Sequence, residues 1–228
     1  MKKHWKKLVT AVIALVIVVV AGSFIYAKVI NQPDDELNSG DVKDLLSGTN
    51  AVSGDGVEGD WVIADGSEVG YRVDESINGF DTTANGRTQA ITGTFTIGAT
   101  TVTAGNFSVD MTTFKSDESR RDGQFNGRIM DVANFPTATF VLTAPIDFKQ
   151  VPTDGGTIPA TATGDLTLHG VTMSVTFDVE ATFLNGRVGV LGQIPVVFAD
   201  FDIPSPSVAT ITTEDHGILE FALAFSRA

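Results

Sequence analysis

Between residues 160 and 183 apolar and polar positions alternate almost without a break. Ala160, Ala162, Gly164, Leu166 and Leu168 are separated by Thr161, Thr163, Asp165 and Thr167. Val171, Met173, Val175, Phe177, Val179, Ala181 and Phe183 then alternate with polar residues from Thr172 to Thr182. Successive side chains of a strand point to opposite faces, so each run describes a strand with one dry and one wet face. His169-Gly170 between them reads as a tight hairpin turn, with Gly170 free to take a positive φ. The dry face of this ribbon carries no charge.

The same β-type composition, rich in Val, Ile, Thr and Phe with frequent Gly, runs from Asp60 to Ala228. It supports strands at 61–73, 88–97, 101–111, 137–142 (continuing to 148), 157–168, 171–184, 187–197 and 218–225. An antiparallel sheet of eight strands with one dry face must close or be covered, and closure into a barrel is the economical solution. The expected fold is therefore all-β, an eight-stranded antiparallel barrel. Residues 116–130 break the pattern with Glu118, Arg120, Arg121, Asp122, Gln124 and Arg128. They predict a short helical segment capped by Ser116 or Asp117 and broken around Gly123 and Gly127, placed to act as a lid over one barrel end.

The first 30 residues are of another kind. Lys2, Lys3, Lys6 and Lys7 precede an uncharged run from Leu8 to Ala27, with Trp5 and Tyr26 at its two ends. Twenty helical residues span about 30 Å, the hydrocarbon thickness of a bilayer, and aromatic residues favour its interfaces. Residues 1–30 are expected to be a transmembrane signal-anchor with a cytoplasmic N-terminus. The localisation expected is single-pass at the cell membrane, the rest of the chain being extracytoplasmic. A cleaved signal peptide is the competing reading, and it too exports the domain. Residues 31–59, rich in Asp, Gly, Ser and Asn, read as a flexible acidic linker spanning roughly 30 Å, with at most one helical turn at 42–46. Residues 60–228 form the barrel domain.

Charge narrows the choice of partners. Beyond position 30 lie ten basic and all 28 acidic residues, a net −18. A field of that sign repels nucleic acid and anionic headgroups. Cysteine is absent, which excludes thiolate chemistry and thiolate-held metals. His4, His169 and His216 share no metal-ligand spacing, and neither a Gly-x-Ser-x-Gly motif nor a calcium loop is present. No metal, cofactor or catalytic residue is expected. An exported hydrolase using His169 or His216 with a carboxylate stays as one alternative, and a protein-interaction module with a filled barrel as another.

The chain resembles the YceI-like family of exported, polyisoprenoid-binding, lipocalin-like proteins. The resemblance is carried by Trp61, by the spaced Ser67, Val69 and Tyr71, and by Gly93-Thr94-Phe95 and Val109-Asp110. Arg121-Asp122 with Phe125, Asp131 with Phe135-Pro136 and Phe140, and the run from Gly164 to Thr172 complete it. It covers 60–228. The chain departs from the family at Ile129-Met130, at Met173-Ser174 and at Asp200-Phe201-Asp202. The resemblance implies a lipocalin-like barrel with a cavity for a polyisoprenoid, an isoprenoid quinone or a similar apolar lipid.

The alternation directs Phe95, Phe107, Val109, Met111, Phe140, Leu166, Leu168, Val175, Phe177, Val179, Leu219, Phe221 and Leu223 inward, either as ordinary core or as ligand wall. Phe125, Ile129, Met130 and Phe135 near the lid are further ligand-binding candidates, Met being adaptable to apolar guests. Arg121 and Asp122 are read as a polar pair that either anchors the lid to the barrel or meets a lipid headgroup. Sheet edges left by incomplete closure could pair two copies into a homodimer.

Overall fold

The computed structural model describes residues 2–47, 56–153 and 155–228. Its strands are β1 (Gly59–Ile63), β2 (Glu68–Ile77), β3 (Phe80–Thr88), β4 (Ile91–Gly98), β5 (Thr101–Asp110) and β6 (Thr137–Leu142). They continue with β7 (Ile146–Asp147), β8 (Thr157–Leu168), β9 (Val171–Leu184), β10 (Arg187–Val197), β11 (Ile211–Thr213) and β12 (His216–Arg227). Eight of them close a ring in the order β1-β4-β5-β6-β8-β9-β10-β12, and β12 returns to β1 through Phe225, Ser226 and Arg227. The alternation thus closes as expected into an eight-stranded antiparallel barrel, and the ring leaves no unpaired edge among its members.

The β8–β9 ribbon has the expected register, with Leu168 opposite Val171. His169 and Gly170 both take positive φ, 51° and 79°, as a type I′ turn requires. Near this turn the two strands differ: Met173 of β9 is 38 % exposed, whereas Leu166 opposite it and Leu168 beside the turn are buried. Farther along the ribbon Ala162, Phe177 and Val179 are buried.

The strand expected at 61–73 is two strands. At 64–67 the chain steps sideways, and buried Ser67 holds the step: its hydroxyl accepts from the Ala224 N–H (2.9 Å) and donates to the Ala64 carbonyl (2.8 Å). Beyond the step β2 takes over the pairing with β12, from Ala222 opposite Glu68 to Ile218 opposite Arg72. Its far edge carries β3, a strand not expected from the sequence, through the Asn78-Gly79 turn, where both residues again have positive φ. β11 extends the same side of the sheet. These additions build a second storey on one end of the barrel.

Two covering segments matter for the site. The lid is α3 (Ser119–Gln124) followed by a wider turn over Phe125–Ile129. Its N-cap is Glu118, whose carboxylate accepts from the Arg120 N–H, rather than Ser116 or Asp117, and it runs on through Gly123 and Gly127 instead of breaking there. Ser116 is used differently: Asp122 accepts from both its N–H (2.8 Å) and its hydroxyl (2.7 Å).

The second cover is the first half of the expected linker. Residues 31–47 are packed against the barrel wall; 48–55 lie outside the described residues. Here α2 (Ser39–Ser47) buries Val42 and Leu46 against Ala222 and Ala224 of β12. There is room because Gly189 of β10 has no side chain: a Cβ there would collide with Val42. Just before α2, the Leu37 N–H donates to Glu220, which is fully buried and paired with Arg72 (3.6 Å) and Arg87 (3.1 Å). The same arginines bind the carbonyls of Asp34 and Asp35. The apolar run Phe221-Ala222-Leu223-Ala224-Phe225 states the reason, since a strand covered on both faces has no wet side.

The N-terminal helix α1 (Lys2–Ile25) continues into a wider turn over Tyr26–Ile30. The span His4–Ile30 is long and apolar enough to cross a membrane. Its last turns are fastened to the barrel. Asn78 donates to Ser23 (2.6 Å), Phe24 meets Phe80 edge-on at 5.5 Å, and Lys28 donates to the Asp81 carbonyl. Asn31 closes the junction by donating to Thr82 and Thr83 of β3.

Candidate ligand-binding site

Inward-facing residues of the ring strands enclose an apolar chamber of about 220 Å³. A belt of phenylalanine rings crosses it: Phe95 against Phe225 at 4.6 Å, Phe225 against Phe107, Phe107 against Phe140, Phe140 against Phe177 at 5.4 Å, and Phe177 against Phe221. Among the described residues, Thr139 and Thr182 are its only polar wall residues. The belt fills much of the interior, yet the remaining space is continuous and dry.

A second chamber, of about 320 Å³, lies in the storey built by β2, β3, β11, the lid and the 198–208 loop. Met111, Phe114, Leu168 and Leu219 line both chambers and form the partition between them. The first chamber alone falls below the usual range of ligand pockets and the second sits at its lower end; joined, they fall well within it. The second chamber is apolar except toward one side, where Tyr26, Glu75, Glu118, Arg120, Arg121 and Gln124 gather. Tyr26 comes from the end of the N-terminal helix, and its hydroxyl donates to Glu118 of the lid (3.2 Å).

Of the residues singled out in the sequence, Phe95, Phe107, Val109, Met111, Phe140, Leu166, Leu168, Phe177 and Phe221 line the first chamber. Phe125, Ile129 and Met130, together with Arg121, line the second. Two of the ligand-binding candidates line neither chamber. Val175 faces the core opposite Gly164, but the Phe140 ring lies across that glycine and fills the space beside it. Phe135 packs on His169 at 4.6 Å and covers Gly170, outside both chambers.

Arg121 and Asp122 do not act as a pair. Asp122 faces Ser116 and Lys115 (3.6 Å), whereas Arg121 reaches Asp117, the Asn31 side chain (2.6 Å) and Glu75 of β2 (3.7 Å). Arg121 thereby ties the lid to the barrel and to the end of the N-terminal segment. Burial works against its charge, but Asp117, Glu75 and Tyr71 outweigh it and hold its pKa above the ordinary value. Glu75 fares worse. Burial raises its pKa, and Arg121, shared with the nearer Asp117, offsets this only in part. A carboxyl raised in the folded state stabilises most below its unfolded pKa of about 4.3 and loses that contribution as pH rises through the folded value. Glu75→Gln is therefore expected to gain stability relative to the parent as pH rises from about 4 to 7 in urea titrations; a pH-independent difference would contradict the assignment.

The walls that sequence reasoning missed are those of the second chamber. Tyr71, Val73, Glu75 and Ile77 continue the period-2 pattern beyond Val73, and the charged Glu75 disguised it. Asn78-Gly79 is itself a strong hairpin signal. Phe114, in the partition, had no periodic signal at all.

The histidines are placed apart from the chambers. His169 Nδ1 lies 3.3 Å from the Phe201 carbonyl, and His216 stands exposed beside Asp215 (3.0 Å) with its pKa raised by that hydrogen bond.

A family model for the YceI-like domain matches residues 61–225, most of the chain and nearly all of the barrel. The chain belongs to the YceI-like family. Among curated relatives, a UPF0312 protein of Vibrio parahaemolyticus is 35 % identical over 108 residues, 43 % of this chain and 52 % of that protein. One from Pseudomonas putida is 34 % identical over 134 residues, 54 % of this chain and 65 % of its own. This YceI-like chain thus spans about half to two thirds of the relatives it matches. Among solved structures, a polyisoprenoid-binding domain from Saccharophagus degradans superposes with a TM-score of 0.58 at 15 % identity, covering 75 % of this chain and all of that one. Burkholderia cenocepacia BcnA gives 0.55 at 20 % identity, covering 69 % and 95 %. At these identities the two structures show that the YceI-like barrel is shared.

Proposed function

We propose that this YceI-like protein is a membrane-tethered binding protein that carries or sequesters an apolar chain lipid, a polyisoprenoid or an isoprenoid quinone, inside its barrel. The observation that carries this reading is the pair of adjoining apolar chambers, whose charged lining residues gather where the end of the N-terminal helix meets the lid. A chain lipid gains about 0.8 kcal/mol for each methylene taken out of water and needs no specific contact along its tail. The Saccharophagus degradans domain is polyisoprenoid-binding, which supports the same ligand class.

In this reading residues 1–30 are an uncleaved anchor with a cytoplasmic N-terminus, and the barrel domain, 60–228, is extracytoplasmic. At 1.5 Å per residue the 27-residue span is about 40 Å long, so its last turns rise out of the hydrocarbon to the level where Tyr26 is at home. Those turns hold the second chamber beside the bilayer. The role is binding rather than catalysis: His169 meets a carbonyl and a ring, and His216 lies away from both chambers.

The test is extraction of the full chain, purified from its native membrane, followed by mass spectrometry. A stoichiometric isoprenoid is expected. Protein that emerges empty and binds no long-chain isoprenoid in nanodiscs would overturn the proposal.

A further inference from the structure

The lid, residues 116–130, is held differently at its two ends. Its C-terminal end is clasped by the barrel domain itself, where Arg128 donates to the Ser205 and Pro206 carbonyls at 2.7 Å. Its N-terminal half is not. Among the described residues, every hydrogen bond that joins 116–124 to chain outside the lid ends on the N-terminal segment. The Tyr26 hydroxyl donates to Glu118 (3.2 Å), the Gln32 N–H donates to Asp117 (3.3 Å), and Arg121 donates to the Asn31 side chain (2.6 Å). Against these stand two longer ion pairs, Arg121 with Glu75 of β2 at 3.7 Å and Asp122 with exposed Lys115 at 3.6 Å.

The residues that the lid hooks onto are themselves seated on the barrel. Asn31 is buried, and both ends of its amide are in use. The nitrogen donates to the Thr82 hydroxyl (2.7 Å) and the Thr83 carbonyl (3.2 Å) of β3, while the oxygen accepts from Arg121. Lys28 before it donates to the Asp81 carbonyl, and the Asp34 and Asp35 carbonyls after it accept from Arg72 and Arg87. Asn31 therefore joins lid to barrel through chain that is continuous with the N-terminal helix. Lifting a buried amide leaves its partners bare, so the junction favours one seated state over a range of partial ones.

We infer that the end of the N-terminal helix is the latch of the lid. With residues 26–32 seated on β3, the N-terminal half of the lid is held down. Lifted off, they let it swing about the Arg128 clasp. Gly127, next to that clasp, has open space where a Cβ would stand, so the turn can move there without a clash. In its consequence the inference rests on the carrier reading above: access to the barrel follows the seating of the anchor.

The chain has no cysteine, so a pair of spin labels can be placed uniquely. Ser119→Cys on the lid and Thr212→Cys on β11, both exposed, report their separation by double electron–electron resonance in the full chain held in nanodiscs. One narrow distance is expected with the native latch. Tyr26→Phe removes one bond to the lid and leaves the seat on β3 intact. It should raise a longer-distance population about 3- to 10-fold, with an unchanged urea midpoint. Asn31→Leu, which cuts the bonds to both lid and β3, should raise it further. Release of bound N-phenylnaphthylamine, an apolar dye, should quicken in the same order. Distances unchanged in both variants overturn the latch, and dye binding then leaves the carrier reading standing. Longer distances in the variants support the latch even where no form binds the dye, a result that counts against the carrier reading alone.

Discussion

Glu220→Ala is expected to lower the unfolding free energy of the full chain by about 3 kcal/mol, measured by urea titration in detergent. Glu220 is completely buried on the outer face of β12, beneath the segment that precedes α2, and pairs with Arg72 and Arg87. Removing one member of a buried ion pair typically costs about 3–5 kcal/mol, because the remaining charge is left without its partner in a dry place. The lower end applies because Glu68 still holds Arg87 at 3.1 Å. The same change frees the Leu37 N–H, so proteolysis within residues 31–47 should accelerate alongside the loss of stability. A triple change of Glu220, Arg72 and Arg87 to apolar residues should recover much of the loss, since apolar replacement of a whole buried ion pair is often neutral. A loss below about 1 kcal/mol for Glu220→Ala would mean that the covering segment is held by α2 alone.

The second large effect is on ligand length. Leu168→Trp places a bulky ring in the partition that Leu168 shares with Met111, Phe114 and Leu219. Overpacking of this kind costs about 1–3 kcal/mol of stability, so folding is checked in parallel. A lipid kept out of the first chamber by only four carbons forfeits about 3 kcal/mol at 0.8 kcal/mol per methylene, a weakening of roughly 100-fold. A short-chain analogue that fits the second chamber alone should bind nearly as before. Equal weakening of long and short chains would show that the two chambers do not act as one channel.

How legible these features were depended on the kind of signal each residue carried. The β8–β9 ribbon could be read because strict alternation leaves one face without charge, and the first chamber followed from the same rule through Phe107, Phe140 and Phe177. The second chamber escaped because its walls mix signals. On β2 the acidic Glu75 occupies an inward position, made tolerable by Arg121 from a lid more than forty residues away. β3 contributes Ala84 and Gly86, too small to mark a face; the large side chain that Gly86 accommodates, Tyr71, belongs to the neighbouring strand. The cover over β12 is hidden in the sequence for a related reason. Residues 31–47 look like solvated polar sequence, and only the doubly apolar run from Phe221 to Phe225 announces that something must cover the outer face of β12.

The fastening of the N-terminal helix to β3 and the lid, from Ser23 to Asn31, bears on the kinetics of exchange. A lipid that must leave a bilayer through water exposes its whole tail, and the activation barrier climbs with every added carbon. On the carrier reading, the barrel is held with Tyr26 at its entrance and the tail can slide from one dry phase into another. Loading then depends only weakly on chain length, and a long isoprenoid, almost insoluble in water, exchanges on a timescale set by the movement of the lid.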